Sequence, residues 1–307
     1  MSTPQAVRIT PAPGPAATPL GMPSRAPGPT VPRMVLGAQL RRLRETCGVT
    51  CEEAGEVIRA SHSKISRLEM GRTGFKLRDV EDLLTLYGVT EAADRDTLVA
   101  LAAQANRPGW WHAYHDVVPR HLHQYLGLEQ AAEVIRSYQL QFVPGLLQTE
   151  DYARAVLRLG PDGGHQGRTE RRLELRMQRQ AVLEGGAPPR LWTVIDEAAL
   201  RRAMGGRQVM RAQLAHLIEM SRRPNVTVQV MPFAAGGHPA LSGSLTVLRL
   251  PGGELPDVVF LEHAMGGHYL DKAAEVERHR HIMNQVVVKS APATETRQML
   301  ARIRAEL

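Results

Sequence analysis

The segment from Thr50 to Gly71 leaves the chain little conformational choice. Thr50 followed by Glu53 forms a capping box that starts a helix, with Ala54, Val57 and Ile58 turned inward and Gly55 placed where two helices must approach closely. Ser61 is an N-cap for a further short helix whose buried face is Ile65 and Leu68, ended by Met70-Gly71. His62, Ser63, Lys64, Ser66 and Arg67 fall on its other faces. Two capped helices around so short a turn must cross sharply, and the outward residues of the second are small, polar or basic. A helix of that make suits insertion into a DNA major groove.

Helical periodicity continues on both sides. Leu36, Leu40 and Leu43 lie on one stripe of a first helix that ends at Gly48. Residues 77–87, with Val80, Leu83, Leu84 and Tyr87 inside, and residues 91–105, with an Ala/Leu face, complete a five-helix unit over 33–106. Residues 1–32 are rich in Pro, Ala, Gly, Ser and Thr and lack aliphatic periodicity, which predicts a disordered arm. Pro108-Gly109 marks a boundary, and 107–307 reads as a mixed α/β domain. Helices are expected at 129–139, 149–159 and 168–183, then a strand at 191–195, helices at 197–203 and 207–222, and a strand carrying Val226, Val228 and Val230. That order predicts a βαβ crossover. Strands at 244–250 and 257–262 read as a hairpin around Pro251–Pro256, with helices at 271–287 and 293–305 closing the chain. The expected class is α+β: an all-α repressor-type helix-turn-helix domain, then an α/β domain with a small mixed sheet.

Residues 34–106 resemble the five-helix domain of the xenobiotic-response-element (XRE) family of helix-turn-helix regulators, through the first helix, Thr50, Gly55, Ser61, Ile65, Leu68-Glu69 and Gly71. The resemblance implies a recognition helix over 61–70. His62, Ser63 and Arg67, with Lys64 beside them, would read base edges, while Thr50, Cys51, Ser66 and Arg72 would meet phosphates. Cys51 stands where that family often has glutamine. Arg44 and Glu69 match positions that form a structural ion pair in the family. Farther along, Arg107–Trp111, Val143–Ala155, Val194–Arg202, Arg223–Phe233 and Val259–Glu262 resemble a domain found behind such units in actinobacterial, antitoxin-like regulators, which are often partnered by a small protein and tied to development or secondary metabolism. The resemblance therefore implies a transcription regulator whose partner is double-stranded DNA, bound as a homodimer. Its second domain would sense a small-molecule effector or a small partner protein. The alternative is an antitoxin-like protein that mainly sequesters such a partner and uses DNA binding for autoregulation. Trp110, Trp111 and Gln148 are candidates for an effector pocket or partner groove, although core packing is the commoner role of large tryptophans.

Charge, cysteine and motif content bound the remaining possibilities. The formal net charge is +7, which favours polyanions without naming one. Ten basic and eleven acidic side chains lie between Met34 and Asn106, so the helical unit is polarised rather than basic: Lys64, Arg67, Arg72, Lys76 and Arg78 have only Glu69 among them as an acid. Two cysteines and no leader-like start predict a cytoplasmic, nucleoid-associated protein without a membrane span. An electropositive setting would favour a thiolate at Cys51. Histidines cluster after Gly-Gly (His165, His238, His268) and in the pairs His121/His123 and His279/His281, but no zinc-ligand spacing joins them. With no phosphate loop after a strand and no nucleophile elbow, the sequence predicts neither an enzyme nor a metal or cofactor. Arginines 168, 171, 172, 176 and 179 lie on one helix with Glu170 and Glu174, where pairing within the helix is expected.

Overall fold

The computed structural model describes residues 28–160, 165–253, 255–263 and 266–307; the arm expected at the N-terminus falls outside them up to residue 27. The chain divides into two compact units, one ending at Trp110 and the other spanning Trp111–Leu307.

Among its described residues the first unit holds five helices: α1 (Thr30–Thr46), α2 (Cys51–Val57), α3 (His62–Glu69), α4 (Leu77–Leu86) and α5 (Ala92–Ala105). Helix α1 begins inside the stretch assigned to the arm. Pro32 lies in its first turn, where a missing N–H costs nothing, and Thr30 and Pro32 are buried. Gly48, at φ +69°, follows the end of α1. Leu36, Leu40, Leu43, Ala54, Ile58, Ile65, Leu68, Val80, Leu83, Leu84 and Leu98 share one apolar cluster. Val57, expected inside, is 42% exposed. A helix advances 100° per residue, so Ala54 and Ile58 share a face and Val57 falls beside it.

In the second unit a six-stranded sheet runs in the order β3-β2-β1-β4-β5-β6. Strands β1 (Val134–Gln139), β2 (Arg190–Asp196) and β3 (Val226–Met231) are parallel. Strands β4 (Leu245–Arg249), β5 (Val258–His263) and β6 (Gly266–Leu270) continue antiparallel from β1. The helices are α6 (Arg120–Ala131), α7 (Glu150–Arg158), α8 (Gln166–Gln180), α9 (Glu197–Arg201), α10 (Arg207–Met220), α11 (Ala273–Lys289) and α12 (Ala293–Glu306). The predicted crossover is present as β2-α9-α10-β3, and the predicted hairpin as β4-β5. The helix expected over 129–139 is not: α6 stops at Ala131, and Val134–Gln139 is the strand at which the parallel and antiparallel halves meet. β6 was not anticipated.

Strand alternation sets the two faces. Tyr138, Val194, Met231, Leu245, Val247 and Val259 form a cluster with Val276, Met283 and Val286 of α11. At the carboxyl end of β1 a polar chain lies within this apolar layer: Tyr138 Oη donates to Asp196 Oδ2 at 2.9 Å and lies 3.2 Å from His238 Nε2. With the phenol proton committed to Asp196, the imidazole Nε2–H is the donor to Tyr138. Burial holds His238 below its ordinary pKa. On the other face Ser137 Oγ donates to Thr193 Oγ1 at 2.9 Å, α12 packs along β3, and α10 packs along α12. Helix α8 is tied to α6 by a buried fork in which Arg179 Nε and Nη2 donate to Glu129 at 2.6 and 2.9 Å. Arg171 does pair within α8, to Glu174, but Glu170 receives Arg154 of α7. The charges on α8 therefore serve packing between helices more than within the helix.

Candidate nucleic-acid interface

The outward face of α3 is positioned by capping and by one buried charge pair. The capping box at Thr50 is complete: Glu53 N donates to Thr50 Oγ1 at 3.2 Å, and Thr50 N donates to Glu53 Oε2 at 2.7 Å. The Thr50 hydroxyl also donates to the same carboxylate at 2.9 Å. Thus the hydroxyl expected to meet a phosphate is already engaged as a cap. In the turn that follows, Arg59 adopts φ +52° and Ala60 N donates to Gly55 O at 2.8 Å. A Cβ on Gly55 would lie 2.5 Å from the Ala60 carbonyl oxygen, so the α2–α3 turn closes over a residue that must be glycine.

Ser61 caps α3, its Oγ accepting from Lys64 N at 3.3 Å. Ile65 and Leu68 are buried beneath the helix at 1% and 2% exposure. Its C-terminal end is fixed by Glu69, which receives Arg44 Nε at 2.6 Å and Nη2 at 2.9 Å, while Arg44 Nη1 donates to Val49 O. This is the ion pair implied by the family resemblance. The hydrogen bonds to Glu69 raise the Arg44 pKa and keep the guanidinium charged. One charge pair therefore joins α1, the α1–α2 connection and α3. Beside it, a Cβ on Gly37 would stand 2.5 Å from Glu69 O, so α1 presses directly on the end of α3.

What remains outward is a short polar row. His62, Ser63 and Arg67 are exposed, and none of the three side chains bonds to any described residue. Ser66 is half-buried. Lys64, grouped with the base readers in the sequence, donates to Asp79 Oδ2 at 2.8 Å and ties α3 to α4. Its charge is offset by a neighbour that the sequence reading did not pair with it; a basic residue in α3 and an acid in the first turn of α4 were the available signal. Arg72 is exposed just beyond α3, and its amide donates to Arg67 O at 2.9 Å. Lys76 and Arg78 extend the basic edge, with only a loose 3.9 Å approach of Arg78 to Asp82.

Asn106, the residue that caps the end of α5, holds the loop after α3. Its Oδ1 accepts from Phe75 N at 3.0 Å and its Nδ2 donates to Phe75 O at 2.5 Å. Cys51 is half-buried, and burial, reinforced by Glu69, pushes its thiol up. That disfavours the thiolate which an electropositive setting would promote: burial and Glu69 together outweigh the opposing pull of Arg44.

In the second unit Gln148 is 3% exposed, with its amide used internally. Nε2 donates to Val143 O at 2.7 Å and Oε1 accepts from Arg176 Nη1 at 2.9 Å. Trp111 is buried at the start of this unit, and Trp110, half-buried, is the last residue of the first. Gln148 is a clasp between the 143–148 turn and α8. Among the described residues no three His, Cys, Asp or Glu side chains converge as a metal would require, and no helix is long and apolar enough to cross a membrane.

Comparison with known proteins agrees with this division. No curated protein and no solved structure matches the chain. Residues 35–98 match a helix-turn-helix domain, the DNA-binding architecture that the geometry of α2 and α3 describes. Residues 122–302, more than half of the chain, match the family described as a domain of unknown function (DUF5753), and the chain belongs to that family.

Proposed function

We propose that this chain is a non-enzymatic, sequence-specific transcriptional regulator that binds an inverted repeat as a homodimer, and that its second unit responds to a small molecule or a small partner protein. The observation that carries the reading is the contrast on α3: its inner face and its end are locked by apolar packing and by Arg44–Glu69, while Arg67, His62 and Ser63 are left exposed and unbonded. A guanidinium so presented donates two hydrogen bonds to a guanine edge, a contact worth about 1–3 kcal/mol of discrimination. Arg72 and Lys76 lie where phosphates would pass and add affinity without sequence information. Repressor-type units read two half-sites about one helical turn apart, which is the basis for the dimer.

Selection of bound duplexes from a randomised library by the full chain tests this. The expected product is a gapped inverted repeat. Arg67→Ala should erase preference at one position per half-site, at a loss of about 1–3 kcal/mol. Arg72→Ala should instead weaken all sequences alike and lower the salt slope by about one. Failure to retain any duplex at low ionic strength, or equal losses on selected and random DNA for Arg67→Ala, would overturn the proposal.

A further inference from the structure

Helices α10 and α12 lie side by side, and between them runs a groove of about 410 Å³ lined by Arg211, Ala212, Ala215, Ala301, Arg304 and Ala305. It is open to solvent rather than enclosed. The lining residues sit at helical spacing on each wall, 211/212/215 on α10 and 301/304/305 on α12. Beneath them the helices are anchored by Leu214 and Leu217 on one side and Leu300 and Ile303 on the other, all of them 0–1% exposed. The groove is therefore a fixed shape with a floor of methyl groups.

Its rim is charged and unneutralised. Arg211 and Arg304 are exposed, and neither forms an ion pair with a described residue. Neighbouring arginines do have acids: Arg201 reaches Glu197 and Glu306, and Arg222 reaches Glu219. Arg207, one helical turn before Arg211, donates to a Leu307 oxygen at 3.3 Å. Two-fold self-pairing of this groove would set guanidinium against guanidinium, which disfavours a second copy of the chain as its occupant. A small ligand is disfavoured because such sites enclose most of their ligand. Duplex DNA would engage the arginines but leave the concave alanine floor uncovered.

We infer that the α10/α12 groove docks an amphipathic helix of another protein, with compact apolar side chains on its inner face and Asp or Glu beside them. Helix-in-groove recognition uses apolar anchors at i, i+3, i+4 and i+7. Alanine walls let the incoming backbone approach toward the short end of the usual 8–10 Å interaxial range. Carboxylates flanking the anchors then meet Arg211 and Arg304, which sets orientation and speeds association. The inference is independent of what α3 binds.

The probe is a labelled synthetic peptide of roughly 20 residues, long enough to populate a helix, with leucines at that spacing and glutamates beside them. A lysine-for-glutamate version and a scrambled version serve as controls, and anisotropy is read on the full chain. The glutamate peptide should bind, and Ala301→Trp, which fills the groove, and the double variant Arg211→Glu/Arg304→Glu should each weaken it at least about tenfold, or 1.4 kcal/mol. The lysine peptide should gain affinity for the double variant. Both exposed substitutions should leave duplex binding by the full chain unchanged. If Ala301→Trp lowers the unfolding midpoint, the charge-reversed pair alone decides. Absence of binding by the glutamate peptide, equal binding of the scrambled peptide, or indifference to the double variant would refute the inference. Displacement of the peptide by random duplex, with duplex affinity lost in the double variant, would refute it in favour of nucleic acid.

Discussion

The two units handle a buried guanidinium–carboxylate fork in different ways. In the helical unit, Arg44–Glu69 joins elements at the end of α3 and leaves the exposed row of that helix, Arg67 included, unbonded. In the α/β unit, Arg179–Glu129 is one of several pairs among α6, α7 and α8, and Arg154 and Arg171 are similarly taken up by acids. A pair of the same chemistry thus fixes a helix so that its neighbours face solvent in one case, and consumes the charge of a helix in the other. Arginine content alone would have ranked α8 above α3 as a polyanion binder. Pairing reverses the ranking.

The comparison is most directly broken by removing each carboxylate. Glu69→Ala and Glu129→Ala each strand a buried guanidinium and should cost about 3–5 kcal/mol, with Glu69→Ala also abolishing DNA binding. Denaturant unfolding checks this, and a loss below about 1 kcal/mol for either variant would mean that the fork is not holding its unit together. Next in size is Gly55→Ala. Its methyl group would meet the Ala60 carbonyl at 2.5 Å, so an overpacking cost of about 1–3 kcal/mol is expected, confined to the first unit. Unchanged stability would show that the α2–α3 turn has slack. The smallest effect is a pH dependence of the second unit alone. Burial lowers the folded pKa of His238 and of His216 relative to the unfolded chain, so the unfolded state binds protons first as pH falls. The stability contributed by the neutral imidazoles is complete above the unfolded value of about 6.5 and is lost as pH drops through it toward the folded value. His238→Gln should flatten this slope in melts taken between neutral and mildly acidic buffer. A slope that survives unaltered in His238→Gln would assign it elsewhere.

Legibility in the sequence followed how locally each element is specified. The α2–turn–α3 unit was readable because Thr50, Glu53, Gly55 and Ser61 act within a few residues of themselves, and the geometry of the pair follows from caps. The β2-α-β3 crossover was readable for the same reason. Residues 129–139 were misread because Glu129-Gln130-Ala131 favours helix, while Val134–Gln139 is held as a strand by β2 and β4, residues far away in sequence. β1 buries the adjacent Ser137 and Tyr138 on opposite faces and carries Arg136 and Gln139, so neither an apolar run nor a clean alternation announces it. β6, Gly266–Leu270, lacks β-branched residues and exists because β5 offers it an edge. In the candidate interface, the outward row on α3 was legible, whereas the capture of Lys64 by Asp79 and of Gln148 by Arg176 depends on tertiary neighbours.

The clasp at Asn106 has a consequence for how this protein ages. Both halves of one amide group are matched to the Phe75 backbone, nitrogen to carbonyl and oxygen to amide. Asparagine is among the heat-labile residues, and its deamidation product is a carboxylate, which would face the Phe75 carbonyl with an oxygen instead of a donor. Slow chemical decay at a single position would thereby loosen the loop that follows α3.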